Sequence, residues 1–374
     1  MRLLYAVTFY TPHLSGLTRG IEPVIRHFSE TADQVEVLTA QHDPALPRQE
    51  HDGPVLISRV PVAFRIGKGP VMPRFAGAAW ASMGRADLVH VIAPQLESGL
   101  IALIARIRGR KVVLSYVCSM RPGLLATVAL WTSHLIAGLL AHRIIALSED
   151  YAKQSRFCRL FWRKLSFVPV PVPNFDTPEP RPKRPGDNYR IGFVGRISPE
   201  KNIDLLLDAV PLLRDVLDRA FTVELAGPGE PSGTPGAEAL EDRIAGVHLP
   251  ELRRLGPLSE DDLDRFYREI DVLVLPSDDR IEAYGMVQVE AMLRGTPCVT
   301  SDRPGMRQPI GLTGFGRVFA PGSPKELVKA VAAVLTDGPP RSPKPSEVRE
   351  TFSPAAIFAT FASLYRSLLK AKSR

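Results

Sequence analysis

The chain has 374 residues, of which 45% are hydrophobic and 23% are charged, and its formal net charge is +7. This length allows two domains of ordinary size, and the composition excludes an intrinsically disordered protein. Residues 1–175 carry 20 Lys+Arg against 11 Asp+Glu, a net charge of +9, whereas the remainder carries 27 against 29. The positive first half indicates either an anionic partner, such as phospholipid, a lipid pyrophosphate or nucleic acid, or charge that serves solubility alone.

The three cysteines, Cys118, Cys158 and Cys298, form neither a CxxC pair nor a zinc-ligand spacing with histidine. This usage indicates a reducing compartment and no structural metal. The apolar part of residues 1–8 is too short for a signal peptide and predicts a first strand instead. We therefore expect a cytoplasmic protein.

The first half alternates short apolar runs with helical patterns. Strands are predicted at 3–8, 35–38, 55–60, 88–92, 112–116, 144–147 and 167–170, and helices at 21–28, 98–108, 123–141 and 149–162. Residues 61–75, rich in Pro, Gly and Arg, predict a surface loop. This alternation is typical of a doubly wound parallel sheet, and we predict a first domain of that kind over 1–172.

The loop after the first predicted strand contains Gly16. A glycine turn at this place offers backbone amides to a phosphate, so Gly16 is a candidate for ligand binding. His13, in the same loop, is a weaker candidate for substrate contact, because loop histidines are more often only exposed.

Two segments of the first half bear on a membrane. Residues 123–142 contain no formally charged residue and reach the length of a span, but they are only moderately apolar. Because they also lie between two predicted strands, we interpret them as a core or membrane-facing helix. Residues 153–165 carry five Lys or Arg and no acid, with apolar residues at helical spacing. That helix either lies on an anionic bilayer or packs its apolar stripe on the sheet, and the second arrangement is the more common one.

A dense run of prolines marks 173–188 as a semi-rigid linker and as the domain boundary. The second predicted domain, 189–350, begins with a strand that is followed by Arg196 and Lys201 in the turn before a helix. Cations at a helix N-terminus are electrostatically unusual without an anion, and this pair is suited to hold a pyrophosphate.

The second domain continues with alternating elements. Strands are predicted at 189–194, 221–226, 272–275, 298–300 and within 311–321, and helices at 202–214, 259–269, 285–293, 323–336 and 353–370. Ser259 is the predicted cap of the helix at 259–269. Asp262 and Asp264 form a DxD pair inside that helix, which we interpret as a solvated face without a metal.

Two glutamates flank the N-terminus of the helix at 285–293. Glu282 lies in the loop before it, and Glu290 lies on its second turn, in a stretch expected to be largely buried. Because a buried carboxylate without partners is costly, a hydroxyl-rich ligand is a suitable partner for Glu290, although most helical glutamates are solvated. Three backbone amides at the positive end of the helix are suited to a phosphate, those of Gly285, Met286 and Val287.

The spacing of these residues matches a known pattern. Glu282 and Glu290 are separated by seven residues, and Gly195, Arg196 and Lys201 form a Gly-Arg-x4-Lys run. Both resemble motifs of the retaining glycosyltransferases of family 4, the first being their Glu-x7-Glu signature and the second their diphosphate-binding motif. The resemblance implies a GT-B fold, with two Rossmann-like domains facing a cleft and the helix at 353–370 packed back on the first domain.

The resemblance also implies an activity. The donor is expected to be a nucleotide-diphosphate sugar carrying UDP or GDP, and no metal is expected to be needed. Arg196 and Lys201 would stabilise the leaving diphosphate, Glu282 would bind hydroxyls of the donor sugar, and Glu290 would bind the ribose. No side-chain base is evident, so the leaving phosphate is expected to take the acceptor proton.

The first half departs from the family pattern. Ser15-Gly16 stands where a Gly-Gly pair is usual, Val117 where a His is usual, and Gln308, in the second half, where a Glu is usual. We expect the acceptor to bind the basic first domain, preferably as a lipid-linked glycan at the inner face of the cell membrane. A soluble small-molecule acceptor and a non-catalytic sugar-nucleotide binder are the alternatives. A nucleic-acid partner is not expected, because no nucleic-acid-binding module is recognisable.

Overall fold

The computed structural model describes residues 1–13, 15–66, 69–118, 124–172, 188–230, 236–278 and 282–370. The chain divides into two compact units, of which unit 1 comprises Met1–Pro173 with Ser353–Arg374 and unit 2 comprises Asn174–Phe352. The predicted linker at 173–188 lies, apart from its last residue, outside the described residues.

The strands are numbered in chain order across both units. They are β1 (Arg2–Ala6), β2 (Gln34–Gln41), β3 (Gln49–Asp52), β4 (Val55–Pro61), β5 (Phe64–Ile66), β6 (Gly69–Val71), β7 (Leu88–Ala93), β8 (Lys111–Tyr116), β9 (Arg143–Ala146), β10 (Leu165–Phe167), β11 (Tyr189–Val194), β12 (Phe221–Ala226), β13 (Leu252–Gly256), β14 (Val272–Leu275), β15 (Cys298–Ser301) and β16 (Gly316–Phe319).

The helices lie between these strands and at the end of the chain. They are α1 (Gly16–Thr31), α2 (Phe75–Arg85), α3 (Ser98–Ile107), α4 (Leu124–Leu140), α5 (Glu149–Gln154), α6 (Arg156–Leu160), α7 (Ile203–Arg214), α8 (Ala237–Gly246), α9 (Glu260–Glu269), α10 (Met286–Leu293), α11 (Gln308–Thr313), α12 (Pro324–Thr336), α13 (Pro345–Thr351) and α14 (Pro354–Lys370).

Unit 1 is built on an eight-stranded sheet in the order β10-β9-β8-β7-β1-β2-β4-β3, in which only the edge strand β3 is antiparallel to its neighbour. Its central strands are buried on both faces, as in β7, where all six residues are buried and only His90 is polar. Such runs are typical of parallel strands covered by helices on both sides. The strand order reverses between β1 and β7. In the sheet, β1 pairs with β2 on one side and with β7 on the other, so the chain builds the sheet outward from β1 in both directions.

Helix α14 belongs to unit 1 through its packing. Ile357, Phe361 and Tyr365 are part of the same core as β1. The Tyr365 hydroxyl lies 2.7 Å from His90 Nδ1 and 3.3 Å from the Tyr5 hydroxyl, so the end of the chain is hydrogen-bonded to the centre of the sheet.

Unit 2 is built on a six-stranded, entirely parallel sheet in the order β13-β12-β11-β14-β15-β16. The strand order reverses between β11 and β14. The prediction of two doubly wound, parallel-sheet domains is therefore confirmed.

Three predictions about unit 1 need correction or comment. The loop predicted at 61–75 contains the antiparallel hairpin β5–β6. The helix predicted at 149–162 is broken into α5, α6 and a 3-10 turn, because Ser155 is extended and its Oγ caps α6 by accepting from Cys158 N. In the described part of the chain, no helix is both long and apolar enough to cross a bilayer.

Candidate functional site

The loops that follow β11 and β14 meet in unit 2 where the strand order reverses. Parallel α/β sheets bind their ligands at this place, outside the carboxyl ends of the strands. The loop after β11 carries Arg196 and a 3-10 turn, Pro199–Lys201, before α7. The loop after β14 leads to Glu282 and then to α10.

An ion pair and a hydrogen bond join these two loops. Lys201 Nζ contacts the Glu282 carboxylate, and Asn202 Nδ2 donates to the Pro276 carbonyl at 3.3 Å. The side chains of Lys201 and Glu282 are 18% and 23% exposed, so both remain partly accessible to solvent. Asn202 has a φ of +53°, and it is the one residue other than glycine with positive φ in the described ranges. A strained residue that persists beside a cluster of charges is typical of a functional site.

Arg196 has a partner that the sequence did not suggest. Its Nη1 donates to Glu230 Oε1 at 2.9 Å, and the Glu230 side chain is fully buried while that of Arg196 is 44% exposed. Glu230 follows the glycine turn after β12. The guanidinium is therefore held in place by a buried carboxylate and keeps an exposed side toward solvent.

The glycines of these loops allow the backbones to approach one another. Gly227 has a φ of +141°, and its N–H donates to the Gly256 carbonyl at 2.8 Å. A Cβ at Gly227 would overlap the Gly195 carbonyl. Glycine is required at position 227 both by its φ and by this contact.

Glu290 is 7% exposed and accepts a hydrogen bond of 2.6 Å from the hydroxyl of Tyr267 on α9. Burial, together with the Glu290 carboxylate, raises the pKa of Tyr267 well above its ordinary value. Glu290 therefore has a protein partner that the sequence did not suggest, and its contact with ribose hydroxyls stays a prediction. Tyr267 could not be recognised from the sequence, since it lies 23 residues away on another helix.

Asp264 of the DxD pair forms ion pairs of 2.7 Å with Arg268 and Arg294, whose side chains are only 7% and 5% exposed. Burial would raise the pKa of Asp264, but hydrogen bonds from the two arginines lower it below its ordinary value. The interpretation of the pair as a solvated face is thus wrong for Asp264, which lies in a network beside α10. Among the described residues, no three His, Cys, Asp or Glu side chains are grouped to hold a metal ion.

The N-terminus of α10 is built on Gly285. This residue has a φ of +70°, and a Cβ there would lie 2.6 Å from Gln288 Nε2. Met286 and Val287 supply the first amides of the helix. Within the described ranges, three buried side-chain atoms nearby have no hydrogen-bond partner, namely Ser277 Oγ, Tyr284 Oη and Gln288 Oε1. Buried polar atoms in native proteins are nearly always paired, so this group favours a polar ligand.

Comparison with known proteins identifies the family. Residues 175–356 match the family described as glycosyl transferases group 1, and residues 15–172 match the glycosyl transferase 4-like domain. D-inositol 3-phosphate glycosyltransferase 1 of Catenulispora acidiphila is 30% identical over 358 residues, which cover 86% of this chain and 82% of that protein. The chain belongs to the family 4-like glycosyltransferases of the GT-B fold.

Two further matches are informative. A D-inositol 3-phosphate glycosyltransferase of Geodermatophilus obscurus is 39% identical over 155 residues, which cover 38% of this chain and 32% of the relative's length. The structure of Anabaena HepE in complex with UDP-glucose has a TM-score of 0.74 and 17% identity, covering 98% of this chain and 100% of that one. The predictions of the family, of the fold and of glycosyltransferase activity are confirmed.

In this glycosyltransferase the predicted residues are distributed over both units. Arg196, Lys201 and Glu282 lie around the strand reversal of unit 2, and Glu290 lies on the helix that follows. Gly16 lies in unit 1, as the exposed first residue of α1, where a Cβ would meet no atom within 4 Å. Folding of unit 1 therefore does not require glycine at position 16.

Proposed function

We propose that this glycosyltransferase transfers a sugar from a nucleotide-diphosphate sugar to an acceptor hydroxyl, with retention at the anomeric carbon. The observation that carries the proposal is the Lys201–Glu282 pair at the strand reversal of unit 2. A cation and a carboxylate that face the same ligand can serve its two chemically different ends, the diphosphate and the sugar hydroxyls.

In the proposed reaction, the bond between the anomeric carbon and the diphosphate breaks while the acceptor oxygen forms the new bond on the same face. The acceptor proton passes to an oxygen of the leaving phosphate. Lys201, Arg196 and the amides of Met286 and Val287 stabilise the charge that develops on the diphosphate, which is an electrostatic form of catalysis. No metal ion takes part in this scheme.

The two glutamates have separate tasks in the proposal. Glu282 accepts hydrogen bonds from the hydroxyls of the donor sugar, and its pairing with Lys201 places the carboxylate before the donor arrives. Glu290 binds the ribose hydroxyls with the carboxylate oxygen that Tyr267 does not occupy. A donor with UDP is supported by the UDP-glucose complex of HepE, and a GDP-sugar is the alternative.

The acceptor is proposed to be a lipid-linked glycan, bound by the positively charged first unit at the inner face of a membrane. Support comes from the charge of +9 on residues 1–175. A soluble, phosphorylated polyol is the second candidate, because the relatives from Catenulispora and Geodermatophilus are named for D-inositol 3-phosphate.

The segment 153–165 gives this acceptor only limited support. Phe157 and Phe161 of its apolar stripe are 1% and 7% exposed, so they pack inside unit 1. Lys164 Nζ donates to the Gly138, Leu139 and Ala141 carbonyls and so caps α4. Phe157 and Phe161 are therefore not available to a membrane, and only exposed side chains of this segment, such as Leu160 and Trp162, are available to a membrane surface on unit 1.

The test begins with a thermal-shift screen of UDP- and GDP-sugars, because ligand binding raises the apparent stability by mass action. The stabilising donor is then offered to a lipid-linked acceptor and to inositol phosphate, and the linkage of the product is determined. Inversion at the anomeric carbon would refute the proposed mechanism. Donor binding without transfer to any acceptor would indicate a non-catalytic sugar-nucleotide binder.

A further inference from the structure

Helix α3 of unit 1 presents apolar side chains to solvent along one side. Leu100, Leu103 and Ile107 are 40%, 45% and 63% exposed, and their spacing of three and four residues places them on one face. The opposite face, with Ile101 and Ile104, is buried in the unit at 0% and 7% exposure. Helix α3 is thus apolar on both sides, although a helix at the surface of a soluble domain normally has a polar outer face.

Helix α4 shows the same property. Val128, Ile136 and Leu139 are 58%, 40% and 68% exposed and recur at intervals of about two turns and one turn. The helix has no charged residue over its 17 positions. Exposed apolar residues occur singly on most proteins, whereas a row on each of two helices is unusual.

The two helices that carry these rows are neighbours. Gly99 N donates to Ser133 Oγ at 2.8 Å, and a Cβ at Gly99 would lie 2.8 Å from the Ser133 carbonyl, so the two helices are in close backbone contact. We call the combined surface the α3–α4 face and define it by its six exposed apolar residues, Leu100, Leu103, Ile107, Val128, Ile136 and Leu139.

Aromatic and aliphatic side chains continue this surface at its edges. Leu160 and Trp162 are 64% and 40% exposed, and they adjoin α4 through Lys164, which caps that helix. On the other side, Trp80 of α2 is 45% exposed and lies 4.5 Å below the guanidinium of Arg108. Trp is enriched at the boundary between water and lipid, and helices that lie at this boundary carry Lys or Arg on their polar face.

The charge of this region has one sign. Residues 98–148 include six Lys or Arg and no Asp or Glu, and residues 98–175 include 11 against two. Five arginines of this region are exposed, Arg106, Arg143, Arg156, Arg159 and Arg163. A continuous stretch without acids complements a surface that is uniformly negative, as an anionic leaflet is.

We propose that the α3–α4 face binds an anionic lipid bilayer, with its six apolar residues in the interfacial layer and the surrounding arginines on the lipid headgroups. The helices would lie on the membrane and not cross it, as amphipathic interfacial helices do. The purpose of this contact rests on the proposed function, because it would bring a lipid-linked acceptor to unit 1. The contact itself does not depend on transfer and is measured without it.

The test is co-sedimentation of the full chain with vesicles of phosphatidylcholine and with vesicles that contain phosphatidylglycerol. We expect binding to the second kind, weakened by salt because surface charges are screened. The double variant Leu103→Glu/Ile107→Glu should lower the affinity on the order of tenfold or more, since it replaces buried apolar area by negative charge. The matched control is Val216→Glu/Leu312→Glu in unit 2, where the wild-type residues are 54% and 51% exposed. It should bind like the wild type.

Two further measurements distinguish the possible outcomes. Thermal unfolding shows whether the variant is folded, and its stabilisation by a nucleotide sugar shows whether it binds the donor. If the Leu103→Glu/Ile107→Glu variant is folded and still sediments like the wild type, or if the wild type does not bind anionic vesicles, the proposal is wrong. If sedimentation velocity finds a dimer that only this variant dissociates, and vesicles are not bound, a second copy of the chain covers the face instead. Vesicle binding together with absent donor binding would leave this proposal standing and remove the proposed function.

Discussion

The two units have the same kind of sheet but carry different chemistry where the strand order reverses. In unit 2 the reversal is charged, since Lys201 and Glu282 form an ion pair there. In unit 1 residues 7–12 and 94–96, which follow β1 and β7, are uncharged, and Gln95 Nε2 joins the two strands by donating to the Ala6 carbonyl at 3.2 Å. Because cations at such a place suit a diphosphate, the charges support the donor site that we propose in unit 2.

The comparison also bears on the anionic partner of unit 1. Its exposed cations include five arginines on or beside α3, α4 and α6, whereas Arg59, which donates to the Thr11 carbonyl in the loop after β1, has a buried side chain paired with Glu50. A small charged substrate would be expected at the reversal. A broad surface of this composition suits an extended anionic partner better, and this distinction separates the two sites we propose.

The largest effect is expected from replacing Lys201, the cation at the strand reversal of unit 2. Replacing Lys201 by Ala removes the cation and leaves Glu282 without its ion pair, so transfer should fall by about 10²–10³ in kcat/KM for the donor. Lys329→Ala, at an exposed position on α12, is the matched control and should be active. A folded Lys201→Ala variant within a few-fold of wild-type turnover would refute the role of Lys201.

The second largest effect is expected from replacing Gly227, whose backbone contacts the Gly195 carbonyl near that strand reversal. Gly227→Ala forces a Cβ onto the Gly195 carbonyl at a φ that other residues rarely adopt. We expect a loss of about 3 kcal/mol or more in the free energy of unfolding, measured with urea by circular dichroism. Gly246→Ala, where a Cβ meets no atom within 4 Å, should be close to wild type. Equal stability of the two variants would contradict the contact.

Sequence patterns predicted the two sheets and the position of Lys201 and Glu282, because residue type and spacing are local properties. They did not predict the partners of the site residues. Arg196 and its partner Glu230 are 34 residues apart in the sequence. Glu290 and its partner Tyr267 are 23 residues apart, and only folding brings such pairs together. The outward rows of α3 and α4 were also missed, since periodicity shows that a helix has an apolar face but not which side the fold covers.

A smaller effect concerns the buried partner of Glu290. Tyr267→Phe removes the 2.6 Å hydrogen bond to the Glu290 carboxylate and should cost about 2 kcal/mol in the free energy of unfolding. In Glu290→Gln an amide oxygen can still accept from Tyr267, so stability should change less while donor binding weakens. Calorimetry with and without the donor separates these results, with Glu350→Gln at an exposed position as control. If both variants lower donor binding equally and stability not at all, Tyr267 is not a structural partner.

The smallest effect is a pH dependence confined to unit 1. Burial lowers the pKa of His90 to about 3, whereas an unfolded histidine has a pKa of about 6.5. Between these values the unfolded chain binds the extra proton, so the stability that neutral His90 contributes is complete near neutral pH and falls as the pH is lowered. We expect a loss of about 1 kcal/mol from about pH 6.5 to about pH 5.5.

Tryptophan fluorescence reports this loss selectively, because all three tryptophans, Trp80, Trp131 and Trp162, lie in unit 1. His90→Asn should lower the stability at neutral pH, since it disturbs the bonds to Tyr365 and Ser115, and should make the pH dependence shallower. His51→Asn, at an exposed position of β3, should keep the wild-type slope. An unchanged slope in His90→Asn would mean that other groups set the acid sensitivity of unit 1, among them His134 and His142, whose pKa values burial also lowers, to about 4. The buried hydrogen bonds of His90 to Tyr365 and Ser115 would then contribute no pH dependence to the stability of unit 1.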